Sequence, residues 1–272
     1  MPRIEIAPSP QRPRPQTWSA DQLSVAWLGH ATVLLNVLGS WLLTDPVLER
    51  RIGIGRGLAK LGPRRLIQPA LQVGELPPVD ALLLSHAHMD HTDLGTLRHF
   101  RRKVPVVVQP GNRDLVRRFH EVHELAWGEQ IDVAGVRVES TPARHWGARM
   151  VTDSHRGFGG YLIQKGGRAV LFAGDTAYTD VLTSIGRRVE IDLAILPIGA
   201  YDPWINNHAS PEQAWTMFQR LGARYVLPVH HSTFRLSREP AEEPIQRFLA
   251  AAGAERWRVI GTEVGASWTM EA

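Results

Sequence analysis

Ser85-His86-Ala87-His88-Met89-Asp90-His91 follows directly on the apolar run Ala81-Leu82-Leu83-Leu84, and four of the six residues from His86 onward carry side chains able to ligate a metal. Four apolar residues ending in a polar turn read as a short buried strand. On extended backbone, residues two apart point the same way, so His86 and His88 converge on one ion while the tightening turn swings Asp90 and His91 towards a second. Imidazole and carboxylate suit Zn, Mn or Fe. The chain has no cysteine, which removes thiolate ligands, a thiol nucleophile and any disulfide framework.

Outward from this stretch, strands are expected at 24–28, 32–37 and 41–43 before it, and at 105–108, 121–124, 131–134 and 136–140 after it. Strands 160–165 and 168–173 flank the Gly166-Gly167 turn as a hairpin, followed by strands 191–196 and 225–229 and a terminal hairpin around 256–270. Helices are expected near 93–102, 112–119, 178–187, 211–221 and 241–252; Ser210 is placed to cap the fourth and Pro211 suits its first turn. Residues 47–78, with five Gly and four Pro among many Arg, read as a long surface loop with one short helix. Strands come first and last and helices follow strands in each half, so the α/β pattern predicts two sheets packed face to face with helices outside, a four-layer αββα sandwich.

At 272 residues, 43% hydrophobic and 21% charged, the chain has the composition of a globular protein, read as a flexible Pro/Arg-rich arm at 1–20 and a single domain over 21–272. No stretch approaches the ~20 apolar residues of a membrane span. The arm lacks an apolar core of the secretory kind, so a cytoplasmic location is expected. The net charge of +4 is spread along the chain, and without an aromatic-interleaved basic platform no nucleic-acid partner is expected.

The H-x-H-x-D-H run resembles the signature of the metallo-β-lactamase superfamily. Trp27-Leu28-Gly29-His30-Ala31-Thr32, Leu43-Thr44-Asp45-Pro46, Thr141-Pro142-Ala143-Arg144-His145, Ala173-Gly174-Asp175-Thr176 and Val229-His230-His231-Ser232-Thr233-Phe234 are similar to the branch that contains N-acyl-phosphatidylethanolamine-hydrolysing phospholipase D and the ascorbate-6-phosphate lactonases. The resemblance implies that His86, His88 and His145 bind one metal and that Asp90, His91 and His230 bind a second, with Asp175 between them. His145, Asp175 and His230 each follow an expected strand, which is independently consistent with one common rim. Asp90 would orient the attacking water; Asp45 would support a ligand histidine from behind, or else form only an Asp-Pro turn. His30 would lie beneath the site. His208, just before a helix, would donate a proton to the leaving group or bind phosphate. His230 is preferred over the adjacent His231 as the ligand, and Phe158 stands where relatives carry Trp.

Seven such ligands leave open positions on two divalent ions, Zn2+ or alternatively Mn2+ or Fe, which suits catalysis by a hydroxide formed at neutral pH. The expected activity is hydrolysis of a phosphodiester, phospholipase D-like, with Arg144, Arg149 and Arg156 available to hold phosphate. Lactone or β-lactam hydrolysis is the alternative, and nucleic-acid processing a lesser one. The substrate is expected to be a small molecule or lipid. A peripheral membrane contact through Ile52, Ile54, Leu58 and the surrounding Arg residues, and an oligomer, are compatible with the sequence.

Overall fold

In the computed structural model, which describes residues 6–55, 59–150 and 152–270, the strands form two sheets. The seven-stranded sheet contains β1 (Leu23–Gly29), β2 (Thr32–Val37), β3 (Ser40–Thr44), β4 (Ala81–Leu84), β5 (Val106–Val108), β6 (Val122–Glu124) and β13 (Ser267–Thr269), in the order β13-β1-β2-β3-β4-β5-β6. The six-stranded sheet contains β7 (Gln130–Val133), β8 (Val136–Thr141), β9 (Gly160–Lys165), β10 (Arg168–Phe172), β11 (Leu193–Pro197) and β12 (Tyr225–Val229), in the order β12-β11-β10-β9-β8-β7.

The period-2 pattern of the central strands explains the layering. Along β10, Ala169 and Leu171 share a core with Phe218 and Phe248 of α3 (Pro211–Leu221) and α4 (Glu243–Ala252). Val170 and Phe172 face the other way, into a core shared with Leu34 and Val107 of the opposite sheet. The expected αββα sandwich is therefore present. Helix α3 starts where the sequence indicated: Ser210 and Gln213 form a reciprocal capping box, and Gly222, at φ +74°, ends the helix.

Strands β10, β11 and β12 run parallel, while β8 and β10 are each antiparallel to β9. The carboxyl ends of β8, β10, β11 and β12 thus share one edge of the sheet, and the residues after them meet there.

The outer layer over the seven-stranded sheet departs from expectation. The helix expected at 93–102 is one turn, α1 (Leu94–Leu97), and that at 112–119 is a 3-10 turn, Arg113–Val116. Asp93 caps α1 through the Gly95 and Thr96 amides, but the Arg118 guanidinium takes the Leu97 and Phe100 carbonyls, so the helix does not propagate. The helix expected at 178–187 is confined to α2 (Val181–Gly186). The terminal hairpin does not form: 253–258 is a 3-10 turn, and β13 pairs with β1 at the sheet edge.

Within the expected N-terminal arm, the Ala7 amide donates to the Leu66 carbonyl, the Gln68 amide to Ala7 and the Gln11 amide to Val264, and Ile6 is buried. The 47–78 segment holds a 3-10 turn at Val73–Glu75 and a short ribbon in which Arg51 pairs with Arg64 and Ile54 with Leu61. Arg56 and Leu58 of the suggested membrane contact lie outside the described residues. No described helix is long and apolar enough to cross a membrane.

Candidate metal centre

The β4 carboxyl end delivers His86, His88, Asp90 and His91 opposite the shared edge of the six-stranded sheet, which delivers His145 after β8, Asp175 after β10, His208 after β11 and His230 after β12. Gly174 permits this approach: a Cβ there would lie 2.5 Å from the Gly159 carbonyl oxygen and 2.9 Å from Ser85 Cβ, and its φ is +62°.

Asp175 is the hub. Its Oδ2 lies 3.1 Å from His91 Nε2, 3.2 Å from His230 Nε2, 3.8 Å from His145 Nε2, and 3.9 Å from both His86 Nε2 and His208 Nδ1. Among the described residues four groups of donors result: His86–His88–His145–Asp175 and His30–Asp90–His91–His230, each of four residues, and two of three, Asp45–His86–His91 and Asp175–His208–His230. The seven residues expected as ligands are thus all brought together. His30, expected beneath the site, enters the second group, with Nε2 2.9 Å from Asp90 Oδ2 and its ring 4.1 Å from that of His230.

Outer hydrogen bonds aim the imidazoles. The Asp45 carboxylate accepts from His91 Nδ1 at 2.6 Å and from the Ser85 amide at 2.7 Å, leaving His91 Nε2 facing Asp175. His145 Nδ1 donates to the Asn207 carbonyl at 2.9 Å, which turns Nε2 inward. His231 points away from the cluster: it is buried against Trp27 with its ring 4.5 Å distant, and Nδ1 meets Ser232 Oγ.

Electrostatics divide the histidines. Burial holds His88 down to about 4, and His30 and His208 down to about 3. Burial acts the same way on His91 and His230, but carboxylates overcome it, chiefly Asp175: His91 is held well above its ordinary range and His230 is raised to about 9. Asp90 and Asp175 are held well below the usual carboxylate range, burial being outweighed by the surrounding histidines.

A metal fits these residues. Among the described residues His88 Nε2, His91 Nε2, His230 Nε2 and Asp175 Oδ1 are buried with no hydrogen-bond partner, a costly arrangement that a cation relieves. The donors are all nitrogen and oxygen, as expected for Zn, Mn or Fe.

A pocket of about 310 Å³ opens over the centre, walled by Trp146, Trp204, Leu236 and Met89, with Asn207 and His208 at one side. Of the other aromatic residues beside the motif residues in the sequence, Tyr201 hydrogen-bonds Glu243, Phe234 packs edge-on to His30, and Tyr178 does not line the pocket. Leu236, Met89 and Asn207 were not foreseen, although Asn207 adjoins the His208 motif. Phe158 packs against Trp127, whose indole donates to the Phe158 carbonyl.

The arginines expected to hold phosphate are otherwise engaged. Arg149 Nη1 donates to the Ala87 and Thr92 carbonyls, both at 2.8 Å, and so clips the histidine-rich loop from behind. Arg156 is held by Asp114 and Asp153. Arg144 is exposed and does not line the pocket.

The β-lactamase superfamily domain profile matches residues 40–231. The chain is 31% identical to N-acyl-phosphatidylethanolamine-hydrolyzing phospholipase D 1 of Caenorhabditis elegans over 79% of this chain and 65% of that one. It is 29% identical to a metal-dependent hydrolase of Shouchella clausii, over 89% and 98% of the two chains. The relatives matched at 31–35% identity here are longer, and the chain spans 66% of their length or less. Igni18, a metallo hydrolase from Ignicoccus hospitalis, shares the fold with a TM-score of 0.67 at 23% identity, over 92% of this chain and 99% of that one.

Proposed function

We propose, given that this chain belongs to the metallo-β-lactamase superfamily, that it is a metal-dependent hydrolase of phosphodiesters carrying an apolar substituent, working with two divalent ions, Zn2+ in the first instance. The observation that carries the substrate class is the wall of the pocket. Trp146, Trp204, Leu236 and Met89 offer apolar surface directly above the donor cluster, and among the described residues no Arg or Lys lines it. Such a pocket suits a singly charged diester with an apolar arm better than a phosphomonoester dianion, for which basic side chains are the usual partners. The phospholipase D relative supports the same class.

His86, His88, His145 and Asp175 would hold one ion, and Asp90, His91 and His230 the other with Asp175 shared. When bound, the ions supply Lewis acidity and a nucleophile at neutral pH by lowering the pKa of water. The chain's own contribution is placement. Asp90, held by His30, accepts a hydrogen bond from the attacking water; Asp45 and the Asn207 carbonyl fix the imidazole orientations; His208 reaches the reacting group from the side; the tryptophans exclude water from the apolar arm.

The test is elemental analysis of the purified protein with hydrolysis of a bis-aryl phosphodiester and of a lactone or β-lactam reporter, before and after chelation. Near two equivalents of metal and chelator-sensitive diester cleavage are expected. Activity confined to the carbonyl reporters would replace the reading with lactone or β-lactam hydrolysis.

A further inference from the structure

We propose that the protein carries a second ligand site, remote from the metal centre, that binds the phosphate group of an anionic ligand between Arg50, Arg51 and Arg64. A cavity of about 930 Å³ lies there, and it shares no lining residue with the pocket over the metal centre. Its volume is that of a small-molecule site. Arg50, Arg51, Arg64 and His99 line it, with the buried Arg65 behind them, over a floor that includes Ile6, Leu48 and Val73; one nitrogen of Arg51 donates to the Gly62 carbonyl at 2.9 Å, which leaves its others for a ligand. Glu49, the one carboxylate lining it among the described residues, is engaged by Lys60 Nζ at 2.8 Å.

The backbone supplies an independent reason for an anion. Arg51 and Arg64 are directly opposed in the antiparallel ribbon, and the Arg65 amide donates to the Arg50 carbonyl at 3.0 Å. Directly opposed residues on such a pair project to the same side, and like charges in that relation repel. The buried Arg65 guanidinium donates from all three nitrogens to the Glu49, Ile67 and Val47 carbonyls and to no carboxylate, so it adds positive charge behind the opposed pair without serving as a ligand. A phosphate accepts several guanidinium hydrogen bonds at once and relieves the repulsion. The apolar floor leaves room for a hydrocarbon portion, so the phosphate belongs either to a soluble ester or to a lipid headgroup.

The test uses the metal-loaded full chain, with glycerol 3-phosphate as the soluble probe and phosphatidylglycerol/phosphatidylcholine vesicles, against phosphatidylcholine alone, as the lipid probe. Arg64→Glu turns the opposed pair into an attractive one, and Arg101→Glu, at an exposed position outside the cavity, matches the change in net charge. Saturable binding of at least one probe is expected, weakened tenfold or more by Arg64→Glu and unaltered by Arg101→Glu, with a melting temperature for Arg64→Glu no lower than that of the parent. Binding of glycerol 3-phosphate assigns a soluble ester, and binding of the anionic vesicles alone assigns a headgroup. Absence of saturable binding to both probes, retention of binding in Arg64→Glu, or equal loss in Arg101→Glu would overturn the site. Because diester hydrolysis is read separately on the same preparations, failure here leaves the reading of the metal centre standing, and the converse.

Discussion

Asp45 Oδ2 lies 2.6 Å from His91 Nδ1, with both side chains wholly excluded from solvent. The same carboxylate receives the Ser85 amide at 2.7 Å and the Ser85 hydroxyl at 2.5 Å, so one buried anion fixes both the start of the histidine-rich loop and the direction of His91 Nε2. Asp45→Asn keeps the volume but sets an amide against three donors. A loss of metal affinity of roughly 10–100-fold is expected, with destabilisation of the metal-free protein by about 3 kcal/mol. Competition against a chromophoric chelator and thermal melts would measure both. Unaltered affinity would reduce Asp45 to a turn residue.

His30 acts on Asp90. Its Nε2 is 2.9 Å from Asp90 Oδ2, and Phe234 and His230 confine the ring. His30→Gln is expected to keep near-parental metal content while lowering kcat by roughly tenfold or more. Loss of one metal equivalent in this variant would instead make His30 a ligand in its own right.

His208 lies beside the pocket, and Nδ1 is 3.9 Å from Asp175 Oδ2, farther than His91 or His230. In His208→Ala both metals should remain and turnover should fall by roughly 10²–10³-fold, most steeply for diesters with poor leaving groups. A leaving-group series on metal-replete enzyme distinguishes this from a structural loss, in which every substrate would suffer equally.

His231 separates ligand from packing in the His230-His231 pair. Burial holds its ring down to about 3 in the folded protein, against an ordinary value of 6.5. Between those values the unfolded chain takes up a proton that the folded chain refuses, so this residue makes stability fall as pH falls from 6.5 towards 3, by at most about 1.4 kcal/mol per pH unit. His231→Phe is expected to flatten urea-melt stability over that pH range and to keep its metal, whereas His230→Ala should lose metal. Metal loss in His231→Phe would reverse the assignment.

Trp204 is about half exposed at the pocket mouth, and its carbonyl, not its indole, accepts from the Asn207 and His208 amides. Trp204→Ala should raise KM several-fold for diesters with a long apolar arm and leave that for a dimethyl diester little altered, since only the former buries surface against the ring. Equal effects on both substrates would remove the wall from substrate choice.

Much of this arrangement was legible beforehand. The apolar run 81–84 followed by His86, His88, Asp90 and His91 is a local pattern, and strand periodicity with a tight turn at its end is local physics. His145, Asp175 and His230 could be placed at strand ends for the same reason. Helix α3 was legible through Ser210 and Pro211, because capping involves neighbours in the chain. The helix at 93–102 was misread because Arg118, distant in sequence from Leu97, takes carbonyls that a longer helix would need.

The sequence by itself determined the kind of chemistry: nitrogen and oxygen donors, no thiol, and a layered α/β frame with those donors at strand ends. Only the tertiary structure decided which side chains face one another. His30 joined the donor cluster and Arg149 turned to the loop backbone, because convergence of residues far apart in the chain depends on sheet register. It depends also on backbone that composition does not announce: His30, Asp45, Ala200 and His230 all have positive φ, of 55°, 34°, 64° and 64°. Non-glycine residues hold such angles only where surrounding packing imposes them.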